Sequence, residues 1–155
     1  MPPYKHIQIG YLMLVITIAT AALFAWLQTT ARAEVSSVDS GINVAVTAIM
    51  ALVLFILLSF STLTVAIDEQ FLSIRFGWGI YRKKFLLSEI AVLKSVKNKW
   101  YYGWGIRMWF RPKMTIFNVS GFDAVELTMK DGTIYRIGTD EPEKLEATIR
   151  QAAHL

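Results

Sequence analysis

Two apolar runs without a single charged residue, 7–29 and 42–60, constrain this chain more than anything else in it. A helix needs about 20 apolar residues to cross roughly 30 Å of hydrocarbon, and both runs are long enough. A buried core helix rarely stays uncharged for that distance. The expectation is a transmembrane helical hairpin over residues 1–60, followed without a linker by a folded domain over 61–155. A cleaved signal peptide is the competing reading of the first run, with Lys5 before it and Ala31-Arg32-Ala33 after it. A signal core spans only about 7–15 apolar residues, and here a second apolar run follows at once, so an uncleaved span is preferred.

Orientation follows from the basic residues near the span ends. Lys5 precedes the first run; Arg32, Glu34 and Asp39 lie between the two; Arg75, Arg82, Lys83 and Lys84 follow the second. This bias predicts that both termini lie on the cytoplasmic side of the membrane. Tyr4, Tyr11 and Trp26 sit where interfacial aromatics are expected. Small residues at helical spacing, Ala21 and Ala25 in one span and Ala45, Ala48 and Ala51 in the other, suit close packing of the two helices. Thr17, Thr20, Thr47, Ser59 and Ser61 read as the polar side chains of the spans, their hydroxyls able to bond back to helix carbonyls. No intramembrane acid or base marks a transport path.

The chain has no cysteine, which excludes disulfides, a thiol nucleophile and Cys-based metal sites. Its two histidines, His6 and His154, lie near the chain ends and give a metal cluster or a His-based triad almost no material. Charge is uneven. From Arg75 to Lys113 there are ten Lys or Arg against Glu89 alone, whereas from Met114 onward seven acids outnumber four bases. A basic half tethered at an anionic leaflet is drawn to it, although positive-inside bias and ordinary solvation explain the same charges.

After Ser61 the hydrophobic period changes from helical to alternating. Alternating runs lie at 63–67, 72–76, 80–87, 90–96, 106–110, 115–119, 124–129 and 133–137; with the less regular 90–96 run among these eight, the expectation is about seven strands in a compact domain. Lys130-Asp131-Gly132 between two alternating runs predicts a hairpin with a type I′ turn. One amphipathic helix closes the chain. Asp140 and Glu143 are placed to form a capping box, Pro142 fits the first turn, and Leu145, Ile149 and Ala152 form an apolar stripe.

The phrases LSIRFGWGIYRKKFLLSEI, NKWYYGWGIR, AVELTMKDGTIYRIGTDEP and KLEATI resemble the bacterial pleckstrin-homology-like domains of small membrane proteins, over roughly 61–153. The resemblance implies an α+β, mainly-β domain: about seven antiparallel strands in a bent sheet or partly open barrel, with a C-terminal capping helix. Its most family-like pieces are Tyr102-Gly103-Trp104-Gly105-Ile106-Arg107 and Gly138-Thr139-Asp140-Glu141-Pro142. The Lys/Arg pattern of phosphoinositide-binding relatives is not reproduced, and Asp68 and Glu69 have the wrong sign for phosphate.

Three constellations remain. Lys97, Lys99, Trp100, Tyr101, Tyr102, Trp104 and Arg107 combine cations with aromatics, as suits a headgroup or protein interface; the plainer reading has the rings filling the barrel mouth. Arg82 and Lys84 share one face of a strand, while Lys83 points the opposite way. The first two are candidate headgroup contacts, or merely a solvated edge. Asp140, Glu141 and Glu143 suit the first turn of a helix by its dipole.

The leading expectation is a non-enzymatic, membrane-tethered binding or scaffold module without a cofactor. Its expected partners are the bilayer, anionic lipid headgroups, and another membrane protein, a peptide or a second copy of the chain; nucleic acid is not expected. One alternative is an accessory subunit of a membrane transport or enzyme complex that acts through its spans. The other is an enzyme relying on carboxylates such as Glu89, Asp123 or Glu126.

Overall fold

The structure, a computed structural model, describes residues 4–34 and 40–155. Asp39, and the side chains of Arg32 and Glu34, lie outside the described residues. The protein is α+β, with two sheets, one long apolar helix, a second helix whose apolar part is shorter, and a C-terminal helix.

The first departure from expectation comes before the first helix. Residues 7–9 belong to a strand, β1 (Tyr4–Ile9), and helix α1 (Tyr11–Glu34) begins only after Gly10. Tyr4, His6 and Gln8 point inward from β1, while Ile7 and Ile9 are exposed on its other face. An apolar outer face on an edge strand looks, in sequence, like the first turn of a span. Helix α2 (Ser40–Ser59) then leads into β2 (Thr62–Ile67), which pairs antiparallel with β1 from Tyr4↔Ile67 to Ile9↔Thr62. The amide of Gly10 donates to the carbonyl of Ser61 at 2.7 Å, tying the start of α1 to the end of α2.

The two helices contact each other. Gln28, overlooked in the sequence, donates through Nε2 to Thr47 Oγ1 at 2.8 Å. Of the small residues expected at this contact, only Ala21 is half-buried; Ala25, Ala45, Ala48 and Ala51 are exposed. Larger side chains, among them Phe24, Gln28, Met50, Leu54 and Leu57, are half-buried instead. Thr17 and Ser59 bond back to Met13 and Phe55 in their own helices, as expected. Among the described residues one helix, Tyr11–Thr30, is long and apolar enough to cross a membrane, and only 6% of its apolar window is buried; the apolar part of α2 is Val44–Ser59.

β3 (Phe71–Phe76) and β4 (Tyr81–Leu86) complete a four-stranded antiparallel sheet in the order β1-β2-β3-β4. Leu63, Val65 and Ile67 of β2 face Phe76, Ile74 and Leu72 of β3, and all six are buried. Asp68 shapes the β2–β3 turn by accepting the amides of Gln70 and Phe71 at 3.0 and 2.7 Å, a local bond well suited to a short carboxylate. These backbone bonds hold its carboxyl below the usual range. The β3–β4 turn abuts the end of α2: Gly77 has φ +48°, and a Cβ there would collide with the Ser59 carbonyl. Phe55 stacks on Trp78 with centroids 5.8 Å apart, and Phe60 meets Phe76 at 5.3 Å.

The second sheet contains β5 (Ile90–Lys97), β6 (Gly105–Phe110), β7 (Lys113–Asn118), β8 (Asp123–Met129) and β9 (Ile134–Gly138), in the order β5-β8-β9-β7-β6. All eight alternating runs after Ser61 form strands, one more than the seven or so expected, and β1 brings the number among the described residues to nine. β7 and β9 run parallel, so the arrangement is two sheets and neither purely antiparallel nor a closed barrel. Helix α3 (Pro142–Ala153) lies against β5 and β8 with Leu145 and Ile149 fully buried. Phe117 of β7 joins the sheets, with ring centroids 5.7 to 6.4 Å from Tyr81, Phe76, Phe85 and Tyr135.

Two local expectations are corrected. Asp131 does not have positive φ; Gly132 alone does, at +81°, and its amide donates to Met129. The hairpin thus uses a three-residue loop ending in a left-handed glycine, the other common solution for strands of this twist. Asp140 does not cap α3. The N-cap position is Glu141, without a side-chain cap bond, and the Glu141 amide donates to Thr139 Oγ1. Asp140 instead lies 2.5 Å from His6 Nε2, with Glu141 3.5 Å from the other ring nitrogen. That contact latches β1 to the start of α3, beside the buried Tyr4 hydroxyl, which burial and the two carboxylates push up to about 12.

Gly77→Ala forces a side chain into left-handed backbone against Ser59. We expect it to lower stability by more than about 2 kcal/mol in detergent-solubilised protein, whereas Gly121→Ala, also left-handed but in open space, should cost about 1–2 kcal/mol. Equal losses in thermal unfolding would mean that the turn does not depend on this close approach.

Candidate interaction surface

The loop between β5 and β6 carries the richest sequence signal, and its two ends are fixed by backbone bonding. The Asn98 amide donates to the Phe122 carbonyl at 2.6 Å, and Gly105 pairs with Asn118. Between these points a short 3-10 turn, Trp100–Tyr102, sets three aromatics in succession. Gly103 and Gly105 follow with φ +67° and +89°, reversing the chain into β6 where a side chain would be strained.

Four rings, Trp100, Tyr101, Tyr102 and Trp109, form one cluster, and Trp104 is not among them. Tyr101 meets Trp100, Tyr102 and Trp109 at centroid distances of 6.0, 5.0 and 6.2 Å, and Tyr102 meets Trp109 at 5.2 Å. Trp100 is 79% exposed, Tyr101 is 48% exposed, and Tyr102 and Trp104 are half-buried. The loop therefore divides: Tyr102 and Trp104 turn toward the body, whereas Trp100 and Tyr101 present their faces outward. Lys97, Lys99 and Arg107 are exposed around them, with Lys99 Nζ 5.6 Å from the Tyr101 ring and Arg107 Nε donating to the Trp104 carbonyl.

A buried ionic network supports the cluster from below. By strand register, Glu126 of β8 and Arg136 of β9 are neighbours, and Arg107 and Trp109 of β6 extend the same face across Ile116 and Met114 of β7. Glu126, almost fully buried, accepts from Arg136 Nε at 2.6 Å and from Lys94 at 2.9 Å. Arg136 also reaches Asn98 Oδ1 at 3.3 Å, and its guanidinium lies 5.6 Å from the Tyr102 ring. The network thus holds both the start and the middle of the aromatic loop. Burial alone pushes the Glu126 carboxyl up, but the bonds and charges of Lys94 and Arg136 outweigh it and leave it below the ordinary range.

Arg82 and Lys84 lie elsewhere, on the outer face of the four-stranded sheet. Lys83 points inward, as alternation requires, and its Nζ lies 3.0 Å from Tyr135 Oη and 4.2 Å from the centre of that ring. Glu89 is exposed, Asp123 half-buried and Glu126 held in its ion pairs. Among the described residues no three His, Asp or Glu side chains gather as a metal site. An open cleft of about 340 Å³ lies between Glu69–Gln70, Leu86–Ser88 and the end of α3, and none of the expected site residues lines it.

Sequence reading passed over Trp109 and its flanks. Met108 and Phe110 are 73% and 88% exposed at the end of β6, an edge strand beside Arg107, Arg111 and Lys113. Alternation alone assigns such residues to a core. Only the register shows that β6 extends past the core that holds Ile106. Comparisons of the chain with family models, with curated proteins and with solved structures find no match.

The Glu126 network has a pH signature. A carboxyl held low in the folded state stabilises the fold fully above its ordinary value of 4.5, and this contribution is lost as pH falls through the folded-state value. Arg136→Gln should cost about 2–4 kcal/mol at pH 7, with Lys94 still present to offset part of the buried charge. Denaturant unfolding at pH 7 and pH 3.5 checks this: the deficit should shrink at the lower pH, and a pH-independent deficit would rule out the charge as its cause.

Proposed function

We propose that this chain is a non-enzymatic, membrane-tethered binding module of a bacterial inner membrane, with α1 and α2 spanning the bilayer and both termini cytoplasmic. One observation carries the reading: the strand before α1 and the strand after α2 are paired neighbours, bonded through Gly10 and Ser61 at the point where the helices leave. Both helices expose apolar side chains, among them Val15, Ile18, Leu23, Val44 and Ile49. Such surface is unfavourable in water and natural in lipid. Helix α2 has 20 residues, about 30 Å, and its apolar part among the described residues is the shorter Val44–Ser59.

The aromatic loop is the working surface in this proposal. Its ends are bonded to the 118–122 segment, and that segment also touches the helix junction: a Cβ on Gly10 would lie 2.8 Å from the Val119 carbonyl, and Gln8 donates to Ser120. Trp100 and Tyr101, ringed by Lys97, Lys99 and Arg107, suit headgroup depth, where aromatic rings and cations are both favoured. The same chemistry suits a neighbouring membrane protein. The likeness to bacterial pleckstrin-homology-like domains agrees with a binding role, and the two-sheet body with its C-terminal helix is compatible with it.

The absence of cysteine allows a direct test. Spin labels at Trp100→Cys and, at the opposite end of the body, Lys130→Cys would be compared in phospholipid vesicles. The label at 100 should be relaxed more by oxygen, which concentrates in lipid, than by a water-soluble nickel chelate; the label at 130 should show the reverse. Equal, water-like accessibility at both positions would overturn the leaflet contact.

A further inference from the structure

We propose that Arg75 and Arg82 form a binding site for the phosphate of an anionic glycerophospholipid on the outer face of the four-stranded sheet. The inference rests on the membrane reading above and deepens it by naming the lipid chemistry and the residues.

The register places Arg75 directly opposite Arg82, with Thr64 next to Arg75 on the other side. One row further along, Lys84, Ser73, Ala66 and Lys5 lie in line across the four strands. Among the described residues no acidic side chain lies on this face of the sheet. Among the described residues none of these four cations makes an ion pair. Asp68, in the turn at the far end, engages the Gln70 and Phe71 amides and feels the charge of Lys84, not of Arg75 or Arg82. Like charges directly opposite across a strand pair destabilise a sheet unless something neutralises them. The Nε of Arg75 is also buried with no hydrogen-bond partner, an unfavourable state for a charged group.

The Arg82 guanidinium is held in place. Its Nε donates to the Gly79 carbonyl at 3.2 Å, and the group lies so close over Gly79 that a Cβ there would strike it. This draws it toward the turn that abuts Ser59 at the end of α2. Trp78 of that turn is 66% exposed and stacked on Phe55 of the helix, a typical setting for an interfacial tryptophan. Arg75 is two residues from Gly77, about 7 Å along the strand. The pair therefore stands at the depth of lipid phosphates, and two guanidinium forks match the oxygens of one phosphate.

The test uses the full chain reconstituted in nanodiscs of equal parts phosphatidylcholine and phosphatidylglycerol, with the lipids that remain bound on release counted by native mass spectrometry. Phosphatidylglycerol should be enriched, and Arg75→Gln and Arg82→Gln should each reduce the enrichment about fivefold. Lys130→Gln should leave it unchanged. Arg82→Lys, which keeps the charge and guards against a folding defect, should retain part of it. Unchanged enrichment in the Arg75→Gln/Arg82→Gln double variant would overturn the site. Calorimetric binding of inorganic phosphate in detergent that depends on both arginines, without lipid enrichment, would overturn the lipid assignment in favour of a free anion. A chain that does not enter nanodiscs at all would refute the membrane reading itself, an outcome separate from failure of the site.

Discussion

The pairing of β1 with β2 is the interaction on which the rest of this structure depends. Two strands separated by both long helices lie in register over six residue pairs. Once they pair, the helices must leave the body side by side and in opposite directions of chain travel. The Gly10–Ser61 bond fixes one junction, and the contact of Gly77 with Ser59 fixes the other. A body attached by two strands and a turn has little freedom to swing. The orientation of its surfaces is therefore a property of the sheet, with no flexible tether to blur it.

The rest of the body transmits that placement. Phe117 ties the second sheet to the first through a chain of aromatic contacts with Phe76, Tyr81 and Phe85. From the second sheet, Arg136 carries it to the loop through Asn98 and Tyr102. Exposed rings at Trp100 and Tyr101 thus rest on a buried base. A buried ion pair contributes little net stability on its own, because desolvation offsets the attraction. Here the pair joins two strands to a loop that has little regular structure, so it acts chiefly on position.

Much of this could be read in the residues. Alternation located all eight strands after Ser61, and Leu145 and Ile149 identified the buried side of α3. The aromatic loop was visible because Trp, Tyr and Lys adjoin there. What escaped notice was set by long-range pairing. Ile7 and Ile9 look like membrane residues until the partner of β1 is known. Asp140 looks like a helix cap until His6, far away in sequence, arrives beside it. Half-buried Tyr102 lies beside Arg136, which comes from a distant strand, and Arg75 gains its meaning only from facing Arg82. Local pattern specifies which face of an element is apolar, but it does not specify what comes to lie on that face.

The place of β1 also sets a condition on biogenesis. Chains fold as they are made, N-terminal parts first, yet β1 cannot pair until α1, α2 and β2 have all followed it. For that interval its amides and carbonyls are uncommitted, and an uncommitted strand is a template for pairing with other chains. Lys5 near its start and the short length of the segment, six residues, limit that hazard. Closure of the sheet is therefore a late event, one that reports that both helices have already been made and brought together.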